Sequence, residues 1–320
     1  MGRYLIRRLL QAIPLLLLLS IFMFVLIHLM PGGPEQVLFN PHMTAAARAE
    51  MRTRFGLNDP LPIQYLKWLS QMLIGNFGFS YADNLPVSYL LGQRFPLTLQ
   101  LFIPAFALAL ILALFLGVIS AVRQGSLTDY SLTTVSYFGI AMPAFLLGLG
   151  LQFIFGVWLH VLPTSGTQSF GVALTPLGAF FDHLAHLILP MLTLATLSIA
   201  GWSRYMRSST IEVIKQDYMR TARAKGVGPT AVLFRHALRN AVIPLITVVA
   251  IDFGAVAGGA TITEGVFAWP GMGSLFFSSL ESRDYPVLLS ILIIGGTLVI
   301  LFNLLADILY GVMDPRIRYA

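Results

Sequence analysis

Tyr218-Met219-Arg220-Thr221-Ala222-Arg223-Ala224-Lys225-Gly226, followed by Arg235-His236-Ala237-Leu238-Arg239-Asn240-Ala241-Val242-Ile243-Pro244, is a basic stretch set between two long apolar runs. Helix formers dominate from Asp217 to Lys225, and Asp217 stands where a helix dipole favours an anion. Gly226 and Gly228 let the chain leave that helix, and Pro229 suits the first turn of the next. The stretch predicts two short helices at an angle, with a small face at Ala222. A juxtamembrane loop that only touches anionic lipid needs charge but no ordered helices. A protruding helix bounded by glycine and proline suits a groove on a partner, through which rigid-body motion can pass.

The surrounding chain is that of an all-α polytopic membrane protein. Its 320 residues are 57% hydrophobic and 11% charged, with a mean hydropathy of +0.79, where a soluble domain carries about 25% charged residues. The net charge of +6 raises nucleic acid as a partner, but the basic residues fall where membrane topology places them, so none is expected. Cysteine is absent, which excludes disulfides, thiolate nucleophiles and cysteine metal sites.

A membrane span needs roughly 20 apolar residues. Six segments meet that length approximately: 9–30, 97–122, 132–159, 186–202, 241–263 and 287–310. The first follows Arg3, Arg7 and Arg8 and is too long for the core of a signal peptide, so it reads as a retained span. With the N-terminus inside, 14 of the 20 Lys and Arg fall on inner segments. Five of the other six lie in the loop 31–96, and loops that long cross regardless of charge. Both termini are therefore expected in the cytoplasm, with the segment 204–240 on the same side. Within the outer loop, Thr44 suits the start of a helix running to Arg54, and 62–69 reads as an amphipathic helix opened by Pro62. That loop forms either a compact cap or a membrane-surface segment with Tyr65 and Trp68 at headgroup level. The whole chain reads as one membrane domain in contact with lipid.

Ionisable residues inside spans are costly and point to function. Asp252 lies midway along the fifth segment among Gly254, Gly258 and Gly259, and Glu264 ends it. Both suit a polar route through an apolar bundle, while Asp307 suits the inner headgroup region. His183 and His186 beside Asp182 have a spacing that could hold a metal, but a closed site needs more ligands, and packing at the interface accounts for them. No Gly-x-Ser-x-Gly surrounds a serine. None of the three lysines follows a glycine as in a phosphate-binding loop, so this chain is expected neither to hydrolyse ATP nor to bind a cofactor.

The motifs resemble those of ABC-importer permeases. The general coupling-loop pattern of that family is Glu-Ala-Ala, three residues, Gly, then a spacer ending at Pro. Here Arg220 and Thr221 replace the first two positions, Ala222 and Gly226 match, and Pro244 follows 18 residues after Gly226. Arg-Thr-Ala-Arg-Ala-Lys-Gly with Arg-His-Ala-Leu-Arg-Asn-Ala is the form of the peptide-permease branch. Agreement extends through Arg3–Arg8 with Pro31-Gly32-Gly33-Pro34, Phe55–Leu61, Gly75–Gly78, Phe267–Gly273, Arg283–Pro286 and Asp314–Tyr319. Gly33 and Asn76 depart, standing where family members often have Asp. The chain is similar to the B-type subunit of dipeptide, oligopeptide, glutathione and nickel importers.

That resemblance implies six helices of type I importer architecture in the inner membrane of a prokaryote. It implies a homologous C-type permease, two ATPase subunits that bind ATP and Mg, and an extracytoplasmic substrate-binding protein. Asp217, Tyr218, Arg220, Thr221, Ala222, Arg223, Lys225 and Gly226 would face the ATPases. Two other classes are weighed against it: a proton-coupled secondary transporter working through Asp252 and Glu264, and a non-transporting membrane scaffold.

Overall fold

The computed structural model describes residues 2–29, 44–54, 58–171, 173–254, 256 and 259–313. Expectations for 31–43, 55–57, Gly258 and 314–319 lie outside them. The described chain is helical, with one isolated bridge between Phe79 and Pro86. Among the described residues, four helices are long and apolar enough to cross a membrane, or five if a bent pair counts as one. The first helix, α1 (Gly2–Leu29), adds a shorter apolar stretch over Leu10–Leu26.

The chain divides into two compact units. One comprises residues 1–98, 257–261 and 270–300. It holds α1, α2 (Ala45–Arg54), α3 (Leu61–Leu73), the start of α4 (Val87–Val122), α11 (Met272–Glu281) and most of α12 (Tyr285–Met313). Thr44 and Pro62 stand at the helix starts that the sequence assigns them. Tyr65 and Trp68 of α3 pack with Phe24, Tyr285, Leu288 and Leu289, so this part of the outer loop is seated on the chain itself. A second core joins Val87, Leu90 and Leu91 to Met272, Leu275, Val287 and Ile291.

Between them, buried Asp284 accepts bonds from the Ser80 hydroxyl and from the backbone N–H groups of Tyr81 at 3.0 Å and Ala82 at 3.4 Å. Several donors are what a buried carboxylate requires. The loop before α4 is thereby tied to the turn that opens α12.

The second unit comprises residues 99–256, 262–269 and 301–320. It holds the rest of α4, then α5 (Leu127–Ala141) and α6 (Ala144–Trp158), whose last seven residues are π-helical. There follow α7 (Pro176–Ile214), α8 (Asp217–Ala224), α9 (Pro229–Gly254) and α10 (Thr261–Val266).

Three expected spans are corrected here. The third is broken, because α5 and α6 meet at 103°. Pro143 holds φ near −60° and disfavours helix at Met142, which is extended at ψ 122°. The fourth is only the middle of a 39-residue helix that Pro190 does not interrupt. At helical rise α7 is ~58 Å long, about twice the ~30 Å hydrocarbon thickness, so it projects well past a bilayer. The fifth is interrupted: its long helix is described to Gly254, Gly259 and Ala260 are not helical, and a separate helix opens at Thr261.

Close packing in this unit rests on small residues. A Cβ added at Gly117 would come within 2.6 Å of Met206 on α7, and one at Gly139 within 2.9 Å of Ala200.

Candidate functional site

The basic stretch forms α8, entered through Gln216 and left at Gly226, whose φ of +77° is the left-handed conformation glycine favours. Pro229 opens the next helix, as its sequence position predicts. That second element is no short helix, however. It runs through a π-helical turn, Val232–Ala237, directly into the apolar α9.

The seat of α8 is apolar. Met219 is fully buried and Ala222 is 9% exposed, packed with Val232, Ala237, Val213, Ile214, Val227 and Leu233. The small face at Ala222 thus turns onto the chain's own helices and not outward. Asn240 donates to the Tyr218 hydroxyl at 2.8 Å, pinning the α8 start to α9. Asp217, Tyr218, Arg220, Thr221, Arg223, Lys225 and Gly226 are exposed. The Asp217–Arg220 pair, at 3.6 Å with side chains 97% and 77% exposed, leaves both charges in solvent.

Behind this element lies an ion pair that the sequence reading did not single out. The Asp129 carboxylate takes Arg207 Nε at 2.7 Å and Nη2 at 2.8 Å, a bidentate pairing. It also accepts from the Ser120 hydroxyl and from the Gly125 N–H at 2.9 Å. The Asp129 side chain is 3% exposed and that of Arg207 29%. Ser126 caps α5 by accepting from the Asp129 N–H at 3.3 Å, and Gly125 turns with φ +79°. The α4–α5 turn is thereby locked to α7 seven residues before Ile214, which itself seats α8.

The two candidate pathway acids separate. Asp252 is exposed on α9, with Oδ2 taking the Trp202 indole N–H at 2.7 Å. Glu264 is fully buried, on α10, beyond the break in the fifth segment. His183 contacts the Thr167 carbonyl and Gln100 Oε1, and His186 the Asp182 carbonyl. Among the described residues no three His, Asp or Glu side chains could hold a metal.

Residues 113–319 match the family of binding-protein-dependent transport system inner membrane components, and residues 1–102 match the N-terminal part of such components. The chain belongs to this family. It is 43% identical, across the whole of both chains, to the oligopeptide transport system permease protein AppB of Bacillus subtilis. It is 39% identical over 319 residues, again the full length of both, to the glutathione transport system permease protein GsiC of Salmonella typhimurium.

As an inner membrane component of such a transport system, the chain carries α8, the Asp129–Arg207 pair, Asp252 and Glu264 all within the family's main region. The basic loop was legible because glycine, proline and charge leave local marks. The Asp129–Arg207 pair was not, since its partners are 78 residues apart. The one local hint was Ser126 three residues ahead of Asp129, a helix-start pattern.

Proposed function

We propose that this chain is a B-type permease subunit of an ATP-driven importer of dipeptides or oligopeptides, forming half of the translocation pathway. Membership in the transport family and full-length similarity to an oligopeptide permease protein support the peptide reading. Similarity to a glutathione permease protein is compatible with it, glutathione being itself a small peptide.

The single observation that carries the coupling role is α8: a short helix with a buried apolar seat and its charges facing outward. Such an element is rigid with respect to its own chain and available to another. In this reading it docks on ATPase subunits that hold ATP and Mg, while this chain hydrolyses nothing and binds no cofactor. A homologous C-type permease completes the pathway, and an external binding protein delivers the solute. Six spans, with α1 as the first and the α5–α6 pair as the third, put both termini and α8 in the cytoplasm of a prokaryote.

The test is uptake by vesicles reconstituted with all partners, with ATP supplied on the ATPase-facing side. Accumulation should require ATP and survive a protonophore, and labels placed near Pro229 should react only from the ATPase side. Uptake that ignores ATP and collapses with the proton gradient would transfer the chain to the secondary transporters.

A further inference from the structure

Two carboxylates on the helices of the second unit are treated in opposite ways. Asp129 is neutralised by a bidentate arginine. Asp252 is exposed on an apolar helix, and among the described residues its hydrogen-bond partner is a neutral indole, with no cation in ion-pair range. The indole N–H is a donor without charge. It fixes the carboxylate's orientation and leaves its negative charge uncompensated.

The indole is itself immobilised. Trp202 is 2% exposed, with Phe106 against it at 5.1 Å between ring centroids. Phe106 in turn meets Phe253, and Phe253 meets Phe302 at 4.8 Å. A ring-packed wall therefore holds Oδ2, while Oδ1 takes no hydrogen bond among the described residues and Asp252 as a whole is exposed. A carboxylate in a membrane span without a cation is costly and calls for an occupant or water.

We infer that Asp252 is a station for a cationic nitrogen of the solute in transit, a primary ammonium engaged through Oδ1. This rests on the peptide-permease reading above. An ammonium fits better than a guanidinium. With Oδ2 already held by Trp202, one oxygen faces the route, and a guanidinium gains its advantage from two parallel bonds to both oxygens. The ammonium comes either from the peptide's amino terminus or from a lysine side chain.

The experiment uses the complete reconstituted importer, with its binding protein loaded to saturation. Three probes are compared: a lysine-containing tripeptide, its Nε-acetyl form and its N-terminally acetylated form. The readout is the ratio of maximal uptake rates, ammonium over acetylated, within one preparation, which does not depend on how much protein folds. Asp252→Asn keeps an acceptor for the Trp202 N–H and removes the charge. It should lower that ratio about tenfold, the scale of a hydrogen bond to a charged group. The acetylated form whose ratio moves identifies the nitrogen. Trp202→Phe keeps a ring and frees Oδ2, and should raise uptake of an arginine peptide relative to its lysine counterpart. Ratios in Asp252→Asn equal to wild type for both acetylated forms would overturn the assignment. Uptake by the wild-type importer without ATP would instead overturn the importer reading, whatever the ratios.

Discussion

The α8 helix and the Asp129–Arg207 pair both place charge next to α7, and they use it oppositely. In α8 the apolar side is hidden and Asp217 and Arg220 stand in water. At Asp129 the charge is hidden and bonded on both oxygens. An exposed pair is worth little to the fold and stays available for recognition. A buried pair adds little as a unit, yet breaking it strands a charge. In the proposed function, the difference separates residues offered to another molecule from residues that hold that surface in place.

The comparison breaks most sharply at Arg207. Arg207→Ala leaves Asp129 buried with only neutral donors, and should cost about 3 kcal/mol, seen as a lowered unfolding temperature in detergent. Stability equal to wild type would mean that water reaches the Asp129 carboxylate. Next is Met219→Ala, which empties the seat of α8 and should cost about 2 kcal/mol. The loss should appear as faster amide exchange confined to residues 217–240. A change spread evenly across the protein would deny α8 its separate seat. Smallest is Arg220→Ala, expected to shift stability by less than about 0.5 kcal/mol while reducing co-purification with the proposed ATPase partners. A large stability loss here would erase the distinction between the two regions.

Much of this molecule could be read from its residues because the apolar runs, the proline and glycine punctuation and the basic cluster are all local signals. The start of α9 at Pro229 and the exit at Gly226 followed from those alone. The corrections arise where structure depends on distant neighbours or on small backbone choices. Nothing in the apolar run of 132–159 outweighs Pro143, yet a long hydrophobic stretch invites reading as one rod. The seating of Ala222 and the partners of Asp129 and Asp252 depend on helix packing, which sequence spacing alone does not reveal. The burial of Glu264 was not legible either: the sequence places it at the end of the fifth apolar segment, and it lies instead on the separate short helix α10.

The direct continuation of Pro229 into Gly254 gives the molecule leverage. Asp252 lies 23 residues beyond Pro229 on this one helix, ~35 Å at helical rise. A tilt of about 10° at the basic end, undamped, would sweep the carboxylate sideways by about 6 Å, more than one helical pitch. The π-helical turn at Val232–Ala237 and Pro244 are the places where such a lever can flex. The stiffness of those two joints, together with the hold of Trp202 on the carboxylate, sets how faithfully a push at one end arrives at the other.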